Sequence, residues 1–404
     1  MTSGATTPPA TTTAEVVVVG GGVEGLATAW ALTCRGVRDV LVLERATLAS
    51  GGTGRSSGIV RCHYGVRSLA AMAWRGTQVL EQAVDLLGQE IGFEQVGYVV
   101  GVGPENAAPF AASLAAQREL GIDTWTVSHD DVARLWPAAY LEDFAAFAYE
   151  PRGGYGDAYS TALAFAAAAR RGGATVRQGA HVTELLVDGD HTTGVRLADG
   201  TTVAAGSVVV AAGPWSPALL SPHGVDVPLV VHREPILLVD PGEPLGDVPV
   251  LSDLVRLQYV RGERSGELLV GNSDLATLSP ADPDRYPSSA EEEYVDVAIE
   301  KFEARFPKLL QAGLSSSYAG CYDVTPDFNP VLSACPVDRL FVAAGFSGHG
   351  FKISPAVGEL MADLVVDGRS SAPDVPETDF RLSRFAERRH LVTAHPYLGA
   401  GEMR

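Results

Sequence analysis

Gly20, Gly22 and Gly25 are spaced to bring a backbone against phosphate groups. The apolar run Val16–Val19 leads directly into them, and an apolar helical stretch that includes Val23 follows. The first glycine permits a tight turn, the second lets the backbone approach a pyrophosphate, and the third lets the helix pack on the strand. Free N–H groups and the positive end of the helix dipole would face the phosphates. The pattern therefore predicts a dinucleotide site.

A second apolar strand, Val40–Leu43, completes a βαβ unit and ends in Glu44 and Arg45. Glu44 stands where a carboxylate can accept hydrogen bonds from an adenosine ribose, and we place Arg45 beside it in the cofactor site. The βαβ context makes this fingerprint specific. It does not distinguish FAD from NAD.

A second glycine motif near the carboxyl terminus favours a flavin. Gly345, Gly348 and Gly350 fall within six residues, which is too many glycines for a stable helix or strand. Such a segment lets backbone N–H groups approach a planar ring. A helix predicted over 356–366 would direct its positive end at the negative edge of a reduced flavin.

Composition narrows the class of protein. The chain has 404 residues, a length that favours two domains. Its net charge is −19 and its basic residues are scattered, which argues against nucleic-acid or anionic-membrane partners. Its four cysteines form no CxxC pair and no zinc spacing, so we expect a cytoplasmic setting and no metal site. No apolar run approaches the ~20 residues of a membrane span.

Parallel-type strands at the start, middle and end of the chain bracket stretches that resemble antiparallel strands. This order predicts an α/β (α+β) fold: a discontinuous Rossmann-like FAD-binding domain with a mixed or antiparallel-sheet substrate domain. The expected segments are a disordered tail (1–13), the FAD-binding domain (14–88, 150–225 and 322–372), the substrate domain (89–149 and 226–321) and a C-terminal extension (373–404).

Five segments in order resemble the D-amino-acid-oxidase-like FAD oxidoreductases, in the sarcosine oxidase and dimethylglycine dehydrogenase branch. Besides the N-terminal fingerprint, they are Gly345–Lys352, Gly154–Tyr159, Val209–Ser216 and Tyr322–Asp327. The resemblance covers roughly residues 14–370. It implies bound FAD, with contacts from Gly20, Gly22, Val23, Gly25, Glu44, Arg45, Arg55, Ser56, Ser57, Gly58, Val182, Ala212, Gly213, Trp215, Gly345, Ser347, Gly348, His349, Gly350 and Lys352.

The same resemblance implies a substrate site. Arg61 matches an arginine that binds the substrate carboxylate, and Lys352 matches a lysine that adds a second positive charge. Tyr322 and Tyr259 match two pocket tyrosines. Other interpretations stay open: that Arg61 lies on the surface or binds an FAD phosphate, that Lys352 flanks a helix, and that the two tyrosines belong to the core. We expect His63, two residues after Arg61, to be a hydrogen-bonded structural histidine rather than a pocket wall.

Two positions depart from the branch. Where a cysteine would bond the flavin this chain has Gly320, and Cys321 is out of register and would face away. Non-covalent FAD is therefore predicted. Where the oxidases have an oxygen-activating lysine this chain has Leu269, which removes a cation that would stabilise superoxide.

The resemblance implies oxidation of a C–N bond in a small amino acid or N-alkyl amino acid, with hydride transfer to flavin N5 and hydrolysis of the imine. The expected acceptor is oxygen, giving hydrogen peroxide. The alternatives are a dehydrogenase with another acceptor and a subunit of a multi-subunit complex. The oligomeric state is left open.

Overall fold

The computed structural model describes residues 11–274 and 278–399. Its strands, numbered in chain order, are β1 Thr11–Val19, β2 Val40–Leu43, β3 Ile59–Val60, β4 Tyr98–Val102, β5 Trp125–Val127, β6 Ala146–Glu150, β7 Gly154–Tyr155, β8 Thr175–Arg177, β9 Val182–Asp188, β10 His191–Leu197, β11 Thr202–Val210, β12 Val230–Asp240, β13 Val250–Asp253, β14 Gln258–Gly262, β15 Leu268–Asn272, β16 Ser279–Pro280, β17 Gly313–Val324, β18 Val331–Ala334 and β19 Leu340–Ala344.

The α-helices are α1 Val23–Cys34, α2 Arg67–Glu81, α3 Ala83–Leu87, α4 Ala107–Glu119, α5 His129–Leu135, α6 Ala158–Arg171, α7 Ser216–Leu220, α8 Glu292–Arg305, α9 Gly350–Asp367 and α10 Glu377–Phe380. Within the described ranges, no helix has both the length and the apolar run that a bilayer crossing needs.

The first sheet is built around β1. In the described residues its order is β18-β19-β11-β1-β2-β8, and the hairpin of β9 and β10 joins the edge of β11. β1 runs parallel to both β11 and β2, with Val17 opposite Val208 and Leu41. At its centre the sheet is buried on both faces: Val16–Val19 of β1, Val40–Leu43 of β2 and Val208–Val210 of β11 are apolar and buried.

The second sheet is mainly antiparallel. Its order among the described strands is β16-β12-β15-β14-β13-β4-β6-β5, and β17 pairs with β12. β17 crosses the boundary that the sequence predicted between residues 321 and 322, and it pairs with β12 up to Val324, so its last residues still belong to the second sheet. The mixed α/β fold class is confirmed, whereas the exact domain limits stay a prediction.

Helix α9 is longer than predicted. It begins at Gly350 rather than at residue 356 and contains Pro355. The proline removes the N–H that would bond Phe351 O, and the Ser354 hydroxyl donates to that carbonyl instead, at 2.9 Å. Lys352 therefore lies in the first helical turn, which brings it to the site.

Two close helix contacts fix the position of α9. A Cβ atom on Gly358 would lie 2.5 Å from Ala27 O of α1, and one on Gly76 of α2 would lie 1.9 Å from Lys352 O. Only glycine allows these approaches. The N-terminus of α9 is thereby held beside the N-terminus of α1.

The N-terminal limit of the fold also differs from the prediction. Thr11–Thr13 were assigned to the disordered tail, but they belong to β1 and pair with Thr202–Ala204; the rest of the tail lies outside the described residues. The C-terminal extension packs back onto the molecule. Arg384 bonds Asp327, and Leu398 exchanges hydrogen bonds with Asn106.

Candidate active site

A cavity of about 820 Å³ runs along the carboxyl ends of β1, β2 and β11. This volume lies in the range of roughly 300–1,000 Å³ that cofactor sites occupy. Most predicted cofactor residues line it: Gly20, Gly22, Val23, Glu44, Arg45, Arg55, Ser56, Ser57, Val182, Ala212, Gly213, Trp215, Gly348 and Gly350.

The N-terminal glycines fill the steric roles that their spacing predicts. Gly20 has φ of +117°, and a Cβ there would lie 2.2 Å from Ala211 O. A Cβ on Gly25 would lie 2.2 Å from Gly20 O, so Gly25 serves helix packing and does not line the cavity. Gly22 faces the cavity, where a Cβ would meet only the Thr53 hydroxyl, at 3.3 Å.

Glu44 and Arg45 form one end of the large cavity. The Glu44 carboxylate accepts the N–H groups of Gly21 at 2.7 Å and Ala46 at 2.8 Å, which fixes it at the end of β2. The Arg45 guanidinium lies 3.8 Å from the centroid of the Trp215 ring. These contacts place a carboxylate, a cation and an aromatic ring where the fingerprint predicts the adenosine.

Asp323 organises the C-terminal glycine segment. Its carboxylate accepts the N–H groups of Gly345 at 2.7 Å and Phe346 at 3.2 Å, and its carbonyl accepts that of Ser347. Burial raises the pKa of Asp323 to about 6 although these N–H bonds favour the ionised form. Gly345 and Ser347 therefore support the segment from behind and do not line the cavity, whereas Gly348 and Gly350 do.

A second cavity, of about 40 Å³, adjoins the first. The two share Ser57, Tyr322 and Gly348 in their walls. The remaining residues that line the small cavity are Ile59, Arg61, Tyr98, Ser252, Leu254, Tyr259, Ser273, His349 and Lys352. All four residues predicted for the substrate site thus meet at one place.

Arg61 and Lys352 converge on the ring of Tyr64. The Arg61 guanidinium lies 4.1 Å and the Lys352 Nζ 5.9 Å from the ring centroid. Both cations are buried, 7% and 6% exposed, and the His63 carbonyl accepts a bond from Arg61. The pair places two positive charges close together at a buried site.

Burial shifts the neighbouring titratable groups toward their neutral forms. Burial and the Arg61 charge lower the pKa of His63 to about 3, and burial with Lys352 and Arg61 lowers that of His349 well below its usual range. Burial raises the pKa of Glu150 to about 7, although the Cys62 N–H and Arg61 favour its charged form. Among the described residues that line the small cavity, the charged side chains are therefore the two cations.

The two tyrosines pack against glycines. A Cβ on Gly271, opposite Tyr259 in the sheet, would lie 2.1 Å from the ring, and one on Gly348 would lie 2.9 Å from the ring of Tyr322. His63 lines neither cavity; it bonds the Tyr397 hydroxyl at 2.9 Å and Gln117 at 3.3 Å. Its placement is that of the structural histidine we expected.

The two departures from the branch have distinct surroundings. Gly320 and Cys321 both line the large cavity, so Cys321 does not simply face away, and its thiol bonds Tyr286. Leu269 is 0% exposed within the apolar core around β15, and it lines neither cavity.

Gly58 also lines neither cavity. Its φ is +68°, and a Cβ would lie 2.1 Å from Gly156 O, so it shapes the turn that follows Ser57.

Sequence reasoning gave no role to three carboxyl groups in or near the site. Asp323 stood in a quoted motif with no role given to it, Glu24 lay unnoticed inside the fingerprint, and Glu150 precedes a turn with no motif around it. Asp323 and Glu24 could have been found from the sequence, because one lies before a glycine loop and the other inside a glycine fingerprint, where a carboxyl group stands close to the predicted cofactor. Glu150 reaches Cys62 only through tertiary packing, at 2.8 Å.

Known proteins share this architecture. A family model described as FAD dependent oxidoreductase (DAO) matches residues 15–364. Sarcosine oxidase subunit beta of Arthrobacter sp is 29% identical over 388 residues, which are 93% of this chain and 91% of that protein.

Mitochondrial dimethylglycine dehydrogenase of Rattus norvegicus is 27% identical over 364 residues, 86% of this chain but 42% of that protein, so the chain spans less than half of that relative. The solved L-proline dehydrogenase from P. horikoshii has the same fold, with a TM-score of 0.85 at 24% identity over 95% of this chain and 100% of that one. Because the family model spans most of the sequence, the chain belongs to the DAO family of FAD-dependent oxidoreductases.

Proposed function

We propose that this flavoenzyme oxidises a C–N bond of a small amino acid or N-alkyl amino acid. The observation that carries the proposal is the small cavity in which Arg61 and Lys352 meet beside the large one. The relatives named a sarcosine oxidase subunit, a dimethylglycine dehydrogenase and an L-proline dehydrogenase support the substrate class.

The large cavity fits FAD on three observations. Its volume is sufficient, Gly22 leaves the backbone open at the start of α1, and the segment 345–350 is held open by Asp323. The residues that would hold the cofactor are those of the fingerprint, Glu44, the Ser56–Ser57 segment and the second glycine segment. Bound FAD supplies the capacity to accept hydride from the substrate.

The chain's own residues bind and orient the substrate. Arg61 can grip a carboxylate through parallel hydrogen bonds, and Lys352 adds a point charge. Lys352 lies at the positive end of α9, where a buried ammonium is disfavoured by the helix dipole. An anionic ligand relieves that repulsion, which supports carboxylate binding here.

No strong protein base is required for this chemistry. His349 lines the small cavity and its pKa is lowered, so it stays neutral at physiological pH and can accept a hydrogen bond. The protein contributes orientation, charge placement and exclusion of water. A substrate whose amine is already unprotonated meets these conditions.

The proposal is tested by anaerobic mixing of the FAD-loaded protein with glycine, N-methylglycine, N,N-dimethylglycine and proline. Loss of the yellow flavin colour is the readout, because it needs no assumption about the acceptor. Matched controls are methylamine, which lacks the carboxylate, and lactate, which lacks the amine. We expect bleaching only with compounds that carry both groups; bleaching by methylamine and by none of the amino acids would reject the proposal.

A dehydrogenase that passes electrons to an acceptor other than oxygen is the second candidate. It is favoured by the burial of Leu269 in the core at the position where oxidases of the branch have a lysine. The proposal also includes a partner subunit, which is supported by the relative named as a beta subunit. It further includes a reducing, cytoplasmic location, which is supported by four cysteines that form no disulfide.

A further inference from the structure

Glu24 is a buried carboxyl group in the large cavity. It is the second residue of α1, it is 9% exposed, and it lines the cavity predicted to hold FAD. Among the described residues, neither of its carboxyl oxygens has a hydrogen-bond partner. A buried polar group without a partner is costly, so this one calls for a ligand.

The carboxyl group lies between the N-termini of two helices. A Cβ on Gly350, the first residue of α9, would be 2.6 Å from Glu24 Oε1. The charged groups that act on Glu24 are Asp323 on β17 and Lys352 on α9. Glu44 at the far end of the same cavity differs, because its carboxylate accepts two backbone N–H groups.

The surroundings favour the neutral form of Glu24. Burial raises its pKa well above the usual range and Asp323 raises it further, while Lys352 acts in the opposite direction. The positive N-termini of α1 and α9 also favour the charged form, but burial is the largest of these effects. The phosphates of FAD and a reduced flavin both carry negative charge, which disfavours an ionised carboxylate in the same cavity. A protonated carboxyl has an O–H donor instead.

We propose that Glu24 is protonated in the FAD-bound protein and donates a hydrogen bond to the cofactor. FAD binding is then linked to uptake of one proton from solvent at pH values where Glu24 is ionised in the apoprotein. This inference rests on the FAD cofactor and not on the proposed substrate, and its test uses no substrate.

The test is calorimetric titration of apoprotein with FAD between pH 6 and pH 10. Repeating each titration in buffers of different ionisation enthalpy gives the number of protons taken up. We expect the wild type to take up more protons than Glu24→Gln, with a difference that approaches one proton as pH rises. Over that range the wild-type Kd should rise by up to about tenfold per pH unit relative to the variant.

Two further variants separate the roles of charge and hydrogen bonding. Glu24→Leu removes the donor and should bind FAD about tenfold more weakly than Glu24→Gln, the size of one net hydrogen bond. Glu119→Gln is the matched control, since that exposed carboxylate of α4 lines neither cavity, and its proton uptake should equal that of the wild type. Equal proton uptake by wild type and Glu24→Gln at every pH overturns the linkage and points to Asp323. Equal affinity of the Gln and Leu variants overturns the hydrogen bond.

Discussion

Arg61 and Lys352 come from opposite ends of the chain and meet on one tyrosine ring. Each is predictable alone as a member of a motif. Their convergence depends on α9 starting at Gly350, whereas the sequence predicted a helix only from residue 356, because the glycines of 345–350 disfavour a helix. The predicted roles of the two residues are therefore best tested one residue at a time, with substitutions that remove the positive charge.

Replacing either cation should weaken substrate use without loss of FAD. Arg61→Ala and Lys352→Ala each remove a charge-assisted bond to the carboxylate, on the order of 1.5–3 kcal/mol, or about ten- to hundred-fold in kcat/KM. Arg61 and Lys352 line only the small cavity, so flavin content should stay at the wild-type level. Steady-state kinetics and the flavin-to-protein absorbance ratio provide the measurements.

The matched control is Arg75→Ala, which removes an exposed arginine of α2 that pairs with Glu359. Its kinetics should match those of the wild type. Unchanged kcat/KM in both Arg61→Ala and Lys352→Ala would falsify the assignment of the carboxylate site.

The flavin should be released when the protein is denatured. Gly320 occupies the tethering position and has no side chain to bond, while burial raises the pKa of the Cys321 thiol and so reduces its nucleophilic thiolate form. Acid precipitation should leave the yellow colour in the supernatant, for the wild type and for Cys321→Ser alike. Colour that remains with the wild-type pellet and is lost from the Cys321→Ser pellet would show that Cys321 is the tether.

At the scale of elements, the sequence predicted best those segments in which one face or both are continuously apolar. β1 and β2 follow from their runs of valine and leucine, and α1 follows from the apolar stretch after the glycine fingerprint. The strand β13 was missed because Pro249 and the turn after Asp253 obscure its four residues. The C-terminal extension could not be placed, since its anchors are polar contacts with distant segments.

The strongest of these anchors is the ion pair of Arg384 with Asp327. Both side chains are 1% exposed, and two guanidinium nitrogens bond the carboxylate at 2.8 and 2.9 Å. Burial alone would raise the pKa of Asp327, but the bonds from Arg384 hold it below its ordinary value. The resulting stabilisation is present above the unfolded-state pKa, near 4, and is lost as pH falls through the folded-state value.

Arg384→Ala should lower the free energy of unfolding by about 3–5 kcal/mol at pH 7, because it leaves a buried carboxylate without its partner. Adding Asp327→Asn should recover part of this loss. Arg381→Ala, which breaks an exposed pair with Glu387, is the control and should cost at most about 1 kcal/mol. Urea unfolding of the FAD-loaded proteins measures all three; a loss for Arg384→Ala no larger than that of the control would show that the pair does not anchor the extension.

At the scale of the whole molecule, two sheets meet along the cofactor cavity. The first sheet and α9 supply the fingerprint, the glycine segment and Lys352, and the second supplies Tyr259 and one wall of the small cavity. The cofactor side could be predicted from sequence because backbone-phosphate contacts demand glycines at fixed spacing. The substrate side could not be predicted in full, because Tyr98, Ser252 and Ser273 come together only through strand pairing.

This division of the molecule bears on the electron acceptor. Of the described residues that line the small cavity, the cations are Arg61 and Lys352, and both are assigned to the substrate carboxylate. Leu269 contributes no charge, since it lies in the apolar core. The developing negative charge of superoxide would therefore be poorly stabilised whenever a carboxylate occupies the site.

We accordingly expect oxygen to reoxidise the reduced protein slowly, and more slowly still when a saturating non-oxidisable carboxylate such as acetate is bound. Stopped-flow mixing with oxygen, and separately with an electron-accepting dye, gives both rates.

Leu269→Met is the matched control and should change neither rate, because that side chain reaches neither cavity. Lys352→Met should slow the reaction with oxygen further. Fast reoxidation by oxygen that is insensitive to acetate and to Lys352→Met would make the protein an oxidase whose oxygen site uses other charges, and the argument from Leu269 would be wrong.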